Sequence, residues 1–264
     1  MPLSQVMGVV NVTPDSFSDG GLYLDHDAAV AHGMALIAEG ADVVDVGGES
    51  TRPGAEPVPP AEELRRVLPV VQELSPHVRV SIDTRKAEVA EAAIAAGATL
   101  VNDVSASLYE VVAAAGPSVG WVAMHMLGDP RTMQQNPIYD DVVADVRDFL
   151  VDRAAAAVAA GVQEVWIDPG IGFGKTVAHN WSLLRHLDAL VATGYPVLLA
   201  TSRKRFLGVV TAESDGLPDL TLTAADDRVE ASVATAVWAM VQGARMVRVH
   251  DVRATVQAAM VVAG

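Results

Sequence analysis

Residues 78–104, VRVSIDTRKAEVAEAAIAAGATLVNDV, contain two short runs rich in β-branched residues, separated by a longer segment rich in alanine. The two runs, 78–83 and 99–104, have the length and composition of strands, and the segment 86–96 is typical of a helix. Gly97 follows that segment directly, as expected for the left-handed residue that ends a helix. This stretch therefore predicts a strand, a helix and a second strand in succession.

The same alternation continues along the whole chain. We predict strands at residues 6–12, 42–47, 78–83, 99–104, 121–126, 164–169, 196–202 and 245–250. The predicted helices cover residues 26–39, 60–74, 86–96, 107–115, 140–160, 177–192, 227–242 and 252–263. Strands this apolar on both faces suit a parallel sheet covered by helices, and eight βα units match a chain of about 260 residues that closes into a barrel. We therefore predict the α/β class, a single (β/α)8 barrel domain over 1–264, with a doubly wound open sheet as the alternative.

Three loops bear on fold and function. The glycine-rich loop 168–175, DPGIGFGK, lacks the G-x-G-x-x-G turn of a dinucleotide-binding helix, which disfavours the open sheet. Residues 212–227, AESDGLPDLTLTAADD, are acidic and rich in turn formers, which predicts a mobile surface loop. The first strand breaks at Asn11 into NVTPDSFSDGG, 11–21, which is longer than a simple connection needs. We predict that the loop after the first strand is mobile.

The composition excludes several classes of function. Eighteen basic and thirty-three acidic residues give a net charge of −15, so we expect no unspecific binding to nucleic acid or to an anionic membrane. The chain has no cysteine, which excludes disulfides, thiolate metal sites and a cysteine nucleophile. The start, MPLSQVMGVV, does not resemble a secretory signal, and no apolar run reaches the roughly eighteen residues of a membrane span. We expect a cytoplasmic protein.

Nearly every predicted strand ends in polar or charged residues. In chain order they are Asn11, Asp45, Glu49, Asp83, Asn102, Asp103, His125, Asp168, Ser202, Arg203, Lys204, Arg248 and His250. In a (β/α)8 barrel the C-terminal ends of the strands all face one mouth, so these side chains converge. Helix capping explains a single Asp or Asn there, but Lys204, Arg248 and His250 are costly near an apolar barrel unless an anion meets them. The set predicts a binding site at the mouth.

These polar residues sort into two chemical groups. The group on strands three, four and six suits a planar heterocycle with ring N–H and amino groups. Its members are Asp83, Asn102 and Asp168. The cationic group lies on strands seven and eight, where barrels commonly hold phosphate, and Asn11 is on the adjacent strand one. Its members are Lys204, Arg248 and His250. We expect a pocket that joins a flat nitrogen heterocycle to a phosphorylated group.

The histidines outside this group are weaker candidates for a functional role. Those on predicted helices and loops lie outside the clusters of polar residues in the sequence, so exposure or a local cap explains them better than catalysis; they are His26, His32, His77, His179 and His186. His125 ends strand five beside Met124, and two interpretations stay open for it. It either lines the pocket or is a hydrogen-bonded core histidine.

Seven blocks of the sequence resemble one enzyme family over essentially the whole chain. They are NVTPDSFSDGG, GADVVDVGGESTRPGA, SIDTRKAEVAEAAIAAGATLVNDVSA, MHMLGDPRTMQ, DPGIGFGK, SRKRFLG and RVHDV, in this order. The family is dihydropteroate synthase, the folate-pathway enzyme that sulfonamides target. The resemblance implies a (β/α)8 barrel and a transferase reaction. In that reaction 4-aminobenzoate joins (7,8-dihydropterin-6-yl)methyl diphosphate, which gives 7,8-dihydropteroate and diphosphate.

Two rival classes share parts of this pattern. Methyltransferase-type pterin-binding domains have the strand-end Asp and Asn residues, but they would need a corrinoid partner and would lack the aminobenzoate elements. A non-catalytic pterin-binding paralogue would have lost loop residues or the pair that binds diphosphate. The blocks DSFSDGG, STRPG, SRK and RVH are all present here and favour the synthase.

The resemblance also implies a role for individual residues. The pterin ring would meet Asp83, Asn102, Asp168 and Lys204, with Met124 and Phe173 as apolar walls. The diphosphate would meet Asn11, Thr51, Arg248 and His250, with Mg²⁺ bridging to Asn11. The implied mechanism is dissociative: diphosphate leaves first, and the amine captures the dihydropterin cation. The implied catalytic residues are Asp83, Lys204, Arg248 and His250, together with Asp19 of the first loop.

The family builds its 4-aminobenzoate pocket from the two mobile loops and the seventh βα turn. The residues that this implies here are Phe17, Thr51, Arg52, Pro53, Phe173, Ser202, Lys204 and Arg205. Two positions depart from the common family pattern: Arg205 replaces a small serine, and Ile171 replaces an aromatic residue. The family also implies a homodimer, and the unusually apolar segment 231–241, ASVATAVWAMV, makes the last helices our predicted interface.

Overall fold

The computed structural model describes residues 4–13, 26–50, 56–218 and 222–263. Its strands are β1 (Gln5–Asn11), β2 (Val43–Gly47), β3 (Arg79–Asp83), β4 (Leu100–Asp103), β5 (Gly120–Met124), β6 (Val165–Asp168), β7 (Leu198–Ala200) and β8 (Met246–Val249). They form one parallel sheet in the order β6-β5-β4-β3-β2-β1-β8-β7. A parallel bridge between Ile167 and Val197 joins the two ends of that order. The predicted barrel of eight parallel strands is confirmed.

Helices alternate with these strands, as the sequence predicts. They are α1 (His26–Ala38), α2 (Pro60–Leu74), α3 (Ala87–Ala95), α4 (Tyr109–Ala115), α5 (Val142–Ala160), α6 (Val177–Arg185), α7 (Leu187–Val191), α8 (Arg205–Ser214), α9 (Val229–Val241) and α10 (Val252–Ala263). The single helix predicted over 177–192 is wrong. His186, with φ −111° and ψ 35°, leaves helical geometry and divides it into α6 and α7.

Helix α8 is not among the predicted helices. Its sequence, RFLGVVTAES, contains a glycine and three β-branched residues, which have low helix propensity, so local preference alone does not predict it. Burial of Phe206 and Leu207 against the barrel stabilises it instead. Residues 212–214 of the predicted loop therefore belong to this helix, and Ala225–Asp227 form a 3₁₀ turn. The mobility of 212–227 stays a prediction, and 219–221 lie outside the described residues.

A glycine ends three of the helices, as predicted above for Gly97. Gly40, Gly97 and Gly161 adopt φ values of 102°, 117° and 103°, which side chains with a Cβ rarely do. At the N-terminus of α5, whose C-terminus is at Gly161, the Asp141 side chain accepts hydrogen bonds from the backbone N–H groups of Val143 (2.9 Å) and Ala144 (3.2 Å). These caps fix where α1, α3 and α5 end and where α5 begins.

The barrel interior is filled by one apolar cluster. Its members are Met7, Val43, Leu100, Val122, Trp166, Leu198, Ala200 and Met246. A larger cluster fills the space between the strands and the helices. Because side chains alternate along a strand, the residues two positions after several members of the first cluster point to the same axis, nearer the mouth. This packed layer is the floor of the candidate site.

The longest described helix, α5, has 19 residues, and charged residues interrupt its apolar sequence at Asp145, Arg147 and Asp148. Among the residues that the structure describes, no helix combines the length and the apolarity needed to cross a membrane.

Candidate active site

Four side chains above the apolar floor form one hydrogen-bonded group. Asp45, Asp83, Asn102 and Arg248 lie on β2, β3, β4 and β8. The Arg248 guanidinium donates from Nε to Asp45 Oδ2 (2.6 Å) and from Nη2 to Asp83 Oδ2 (2.9 Å). Asn102 Nδ2 donates to the same oxygen of Asp45 at 3.0 Å. The structure therefore brings together four of the predicted strand-end residues, with Asp45 as the carboxylate that joins Arg248 to Asn102.

Electrostatics make this group sensitive to its occupants. Burial raises the pKa of Asp83 to about 7, although the charge of Arg248 works in the opposite direction. Asp45 is fully buried, and its Oδ1 atom has no hydrogen-bond partner among the described residues; the neighbouring Ser81 Oγ has none either. A charged group that binds here therefore changes the electrostatic interactions among the carboxylates of Asp45 and Asp83 and the guanidinium of Arg248.

Asp168 and Lys204 form a second group on the opposite wall. Asp168 ends β6 and accepts a hydrogen bond from the Gly170 N–H at 2.7 Å. Burial raises the pKa of Asp168, while the positive charge of Lys204 opposes that rise. Burial also lowers the pKa of Lys204 to about 8. Lys204 Nζ donates to the Ile171 carbonyl at 2.5 Å and lies 4.7 Å from the centre of the Phe173 ring.

The seventh and eighth strands meet at Ser202 and His250. Ser202 Oγ lies 3.0 Å from His250 Nδ1 and accepts a hydrogen bond from the His250 backbone N–H at 3.1 Å. Arg203, between Ser202 and Lys204, has a φ of 59°, which is unusual for a residue with a side chain. Its guanidinium pairs with Asp251 at 2.6 Å. The Ser202–His250 hydrogen bonds, the Arg203–Asp251 ion pair and the backbone turn at Arg203 therefore hold the ends of β7 and β8 in one arrangement.

The remaining predicted site residues fall into three sets. Asn11 ends β1 opposite Gly47, and Met124 ends β5 opposite Asp168, so both lie at the mouth. Arg205 is exposed at the first residue of α8. A third set lies outside the described residues: Phe17, Asp19, Thr51, Arg52 and Pro53.

A charged cluster around Glu49, one of the predicted strand-end residues, holds together the segments on either side of the second loop, and its cationic members were not among the predicted site residues. Glu49 accepts hydrogen bonds from the Val58 N–H (2.9 Å), Arg85 Nε (3.0 Å) and Lys86 Nζ (2.5 Å). Lys86 Nζ also pairs with Glu63, which is buried. Burial would raise the pKa of Glu49, but the hydrogen bonds from Lys86 and Val58 and the nearby positive charges hold it below its ordinary value. This cluster joins both sides of the loop to the end of β3.

His125 proves to be a core histidine held by a lysine that the sequence analysis did not single out. It is buried, and its Nδ1 atom lies 2.9 Å from Lys175 Nζ. Burial, followed by the charge of Lys175, lowers the pKa of His125 to about 3, so the ring is neutral at physiological pH. The ring packs edge-on against Phe149 with centroids 5.0 Å apart. A lysine at the end of a glycine-rich loop was the one available clue.

Asp103, although next to Asn102, is a structural residue. It points away from the barrel axis and accepts hydrogen bonds from the backbone N–H groups of Ser107 and Leu108 (both 2.7 Å) and from Trp121 Nε1 (3.1 Å). Strand alternation accounts for the difference, because adjacent residues face opposite sides of the sheet. The capping interpretation of a strand-end Asp is right at this position.

We expect Asp103→Ala to reduce the free energy of unfolding by about 3 kcal/mol, because it leaves several buried donors without an acceptor. Urea denaturation measures this loss. Asp148→Ala, at a carboxylate whose side chain is 65% exposed, is the matched control and should change stability little. Since Asp103 faces away from the mouth, KM values of folded Asp103→Ala protein should stay within about threefold of wild type. A large change in KM with intact stability would contradict this assignment.

The fold and the site together define a class of protein. Acidic, amide and cationic side chains from six strands or their ends converge at the C-terminal mouth of a closed parallel barrel, over an apolar floor. In barrels of this type the mouth is where enzymes bind and convert small molecules. The molecule is a (β/α)8-barrel enzyme in which an acidic wall adjoins a cationic wall. The acidic wall contains Asp83, Asn102 and Asp168, and the cationic wall contains Lys204, Arg248 and His250.

Comparison with known proteins defines the family. Residues 7–250 match the family described as pterin binding enzymes. The dihydropteroate synthase of Mycobacterium leprae (strain TN) is 52% identical, over 98% of this chain and 92% of that protein. The solved structure of Xanthomonas albilineans dihydropteroate synthase with 4-aminobenzoic acid is 48% identical, with a TM-score of 0.88 over 98% of this chain and 92% of that one. The same enzyme in complex with 7,8-dihydropteroate gives 46% identity, a TM-score of 0.85 and the same coverage. This chain belongs to the dihydropteroate synthase family of pterin-binding enzymes.

Proposed function

We propose that this protein joins 4-aminobenzoate to (7,8-dihydropterin-6-yl)methyl diphosphate and releases 7,8-dihydropteroate and diphosphate. The observation that carries the proposal is the convergence, in a family member, of the Asp45–Asp83–Asn102–Arg248 group with Lys204 at one mouth. An anionic leaving group and an electron-rich heterocycle need the two opposite kinds of wall that this mouth provides.

The acidic wall suits the pterin ring. Asp168 and Asn102 offer the acceptor and amide groups that a ring N–H and an exocyclic amine require. Lys204 Nζ, now donating to the Ile171 carbonyl, is positioned to donate to the carbonyl side of the ring instead. Met124 and Phe173 would supply the apolar contacts to the ring faces. The buried pairing of these groups supports a site that is formed before the substrate arrives.

The cationic wall suits the diphosphate. Arg248 and His250 would bind its oxygens, because a guanidinium and an imidazole both donate hydrogen bonds to phosphate. Asn11, on the strand beside β8, would be the protein ligand of Mg²⁺, and Thr51 would also contact the phosphorylated substrate. Among the described residues no group of three or more His, Asp or Glu side chains could hold a metal alone. One amide oxygen fits an ion held mainly by phosphate oxygens and water, which would neutralise charge on the leaving group.

The proposed chemistry needs no nucleophile from the protein. The bond between the pterin methylene carbon and the diphosphate oxygen breaks, and its electron pair leaves with the diphosphate. The amine nitrogen of 4-aminobenzoate then forms the new bond to that carbon and loses one proton. Asp83 would stabilise the positive charge that develops on the pterin, and Asp19 would add a second carboxylate from the first loop.

The pocket for 4-aminobenzoate would adjoin Lys204 and Phe173. Ser202 precedes the start of α8, where backbone N–H groups favour a carboxylate. Arg205, exposed at that helix start, is the cationic candidate for the same carboxylate. Phe17, Thr51, Arg52 and Pro53 would complete the pocket from the two loops.

The direct test is release of diphosphate by the purified protein when dihydropterin diphosphate, 4-aminobenzoate and Mg²⁺ are all supplied. We expect stoichiometric formation of 7,8-dihydropteroate, and no product when either organic substrate is withheld. A sulfonamide should compete with 4-aminobenzoate, because both present an aryl amine opposite an anionic group. Binding of the pterin substrate without turnover would instead identify a non-catalytic paralogue and reject the proposed reaction.

We also propose that two copies of the chain associate through α9 and α10. Large apolar side chains on these helices face solvent in the single chain: Trp238 (46% exposed), Val241 (42%), Met260 (66%), Val261 (81%) and Val262 (45%). Apolar groups concentrated on two adjacent helices are typical of a surface that another protein covers.

An acidic chain without cysteine is compatible with the cytoplasm, which we propose as its location.

We predict that Met260→Glu combined with Val261→Glu converts a dimer into a species of 27.6 kDa. Two carboxylates in an apolar contact face a matching pair across a two-fold axis, so desolvation and repulsion both oppose association. Sedimentation equilibrium at micromolar concentration measures the change. Val158→Glu, at a residue of α5 that is 53% exposed, is the matched control and should stay dimeric. A wild-type protein that sediments only as a monomer would reject the proposed interface.

A further inference from the structure

We propose that Lys175 is a positioning residue for the pterin site: its buried ammonium holds the turn formed by residues 170–173 against the end of β5. The inference concerns how the proposed reaction is supported, and it rests on that proposed function. Lys175 is neither among the predicted site residues nor in contact with the two charged walls described above.

The contacts of Lys175 are numerous for one side chain. Its Nζ atom lies 3.1 Å from the Gly170 carbonyl oxygen, 3.0 Å from that of Phe173 and 3.3 Å from that of His125. It also lies 2.9 Å from His125 Nδ1, which accepts a hydrogen bond when the imidazole is neutral. The residue is only 3% exposed. Four acceptors on two backbone segments surround a group that has three protons to donate.

Burial of this ammonium is costly. Burial lowers the pKa of Lys175 well below its ordinary value, although the charge of Asp168 opposes that change. Within the described part of the chain, Lys175 forms no ion pair with a carboxylate, unlike Lys86, which pairs with Glu49 and Glu63. A methionine of similar length would fill the same volume without the desolvation cost. The hydrogen bonds, rather than the volume, are what a lysine adds here.

The segment that Lys175 holds carries the pterin-site contacts. Ile171 supplies the carbonyl that accepts from Lys204 Nζ, and the Phe173 ring lies 4.7 Å from the same atom. The Gly170 N–H donates to Asp168. Two of the three backbone carbonyls that bind Lys175, those of Gly170 and Phe173, therefore flank the carbonyl that Lys204 uses. A shift of this turn would move both the partner of Lys204 and one wall of the pocket.

The turn is also pressed directly onto the end of β5. Gly170 has a φ of 62°, and a Cβ atom built on it would lie 1.9 Å from the His125 carbonyl oxygen. Met124, a predicted pocket wall, lies next to that carbonyl in the chain, and its Cγ would be 3.3 Å from the same Cβ. Two backbone segments in such close contact have little freedom to adjust independently. Lys175 bonds to both of them, which makes its ammonium the link between the β5 end and the β6 loop.

The first test is Lys175→Met, which keeps the length and removes the donors. We expect kcat/KM for the dihydropterin diphosphate to fall between about 10- and 100-fold, as is typical when a group that orients site residues is removed. At saturating pterin substrate, KM for 4-aminobenzoate should rise as well, because Phe173 and Lys204 also adjoin the proposed pocket for that substrate. Hydrogen exchange of the peptide that covers 168–175 should be at least about tenfold faster in the free variant, with protection of α5 unchanged. Unchanged kinetics and unchanged exchange would overturn the proposal.

The second test restores the ammonium chemically. Since the chain contains no cysteine, Lys175→Cys carries a single thiol that can be alkylated in denaturant before refolding. Aminoethylation creates a side chain of lysine length with a terminal amine, and propylation creates one of the same length without it. We expect the aminoethylated protein to recover kcat/KM and the exchange protection of 168–175 to within about threefold of wild type refolded in the same way, and the propylated protein to recover neither.

The outcomes separate the positioning role from its alternatives. Equal recovery with both groups would show that only side-chain volume matters, which rejects the proposal. A propylated protein that stays unfolded beside a native aminoethylated one would make Lys175 a global stability element and would also reject it. Because the exchange measurement uses the free protein, it tests the placement of the turn even if the wild-type chain forms no dihydropteroate. Failure of the proposed reaction would thus be recognised separately.

Discussion

Replacing Arg248 with methionine should lower kcat/KM for the dihydropterin diphosphate by roughly 10³-fold, since loss of one preorganised donor to developing negative charge costs 10² to 10³ and a full positive charge is lost as well. The guanidinium is proposed to meet the diphosphate as the bond to the pterin methylene breaks. Its charge therefore acts mainly in the transition state, so the loss should appear in kcat as well as in KM.

The same substitution should also destabilise the free protein. Without Arg248, the two carboxylates it bridges, Asp45 and Asp83, lose the only cation that the structure shows bonded to either. Removing one partner of a largely buried ion pair costs about 3 to 5 kcal/mol. Urea denaturation of Arg248→Met measures this cost. The double variant Asp45→Asn with Arg248→Met should regain part of the stability, because one unpaired charge is removed, but none of the turnover.

Arg147→Met is the matched control for this experiment. Arg147 also pairs with an aspartate, Asp148, at 2.8 Å, but both side chains are largely exposed, so the pair adds little to stability. Its kcat/KM and unfolding free energy should match wild type. Folded Arg248→Met protein with wild-type kcat/KM would contradict the role of Arg248 at the leaving group.

Most of the fold could be predicted because its determinants are local. Each strand is a short apolar run, several helices end at a glycine, and eight such units leave few ways to bury every apolar face. The exceptions have tertiary causes. Helix α8 forms in a segment of modest propensity because Phe206 and Leu207 are buried. His186 interrupts the helix predicted over 177–192 because its backbone angles are not helical. No glycine or proline lies beside it in the sequence to predict this break.

The candidate site could be predicted where strand ends are enough to place a residue. Asp83, Asn102, Asp168 and Arg248 needed only the rule that strand ends meet at one mouth. The partners of these residues could not be predicted, because hydrogen bonds between side chains depend on register and on which face of the strand each occupies. Alternation puts Asn102 inside the barrel and Asp103 outside, although the residue types alone favour neither arrangement.

Two buried charges show the same limit more strongly. Asp45 and Lys175 sit below or behind the residues that would touch substrate. A strand end marks Asp45 and a glycine-rich loop marks Lys175, but neither pattern shows what the side chain binds. Only the structure shows that Arg248 and Asn102 both donate to one oxygen of Asp45. It also shows that the four acceptors of Lys175 come from two different βα loops. Sequence reasoning finds the groups that meet a ligand more easily than the groups that hold them in place.

The second large expected effect concerns Asp83 and is measured in the pH dependence of kcat/KM. Burial raises the pKa of this carboxyl to about 7 in the free protein, and kcat/KM reports ionisations of the free enzyme. The proposed role requires the carboxylate, because only the charged form stabilises a developing cation. We therefore expect kcat/KM for the dihydropterin diphosphate to rise as the pH is raised through about 7. It should fall again above about 8, where Lys204 loses its proton.

Asp83→Asn removes the charge while it keeps the size of the side chain. We expect kcat/KM at pH 7.5 to fall at least about 10²-fold, the range for loss of one electrostatic contact to the transition state. The diphosphate of the substrate also titrates, but it does so identically with both proteins, so the ratio of wild-type to variant kcat/KM isolates the enzyme group. That ratio should increase with pH through about 7 and then become constant. Asp148→Asn, at an exposed carboxylate, should give a ratio of one at every pH.

Parallel profiles for wild type and Asp83→Asn would show that Asp83 does not ionise in the measured range or does not act as a carboxylate. The partner of Asp83 provides an independent check on which group gives the acidic limb. Arg248 lowers the pKa of Asp83, so in the Arg248→Met background any remaining acidic limb should move to higher pH if Asp83 is the group observed. A limb that keeps its position in that background must belong to another group, and Asp83 then loses its assigned role in stabilising the cation.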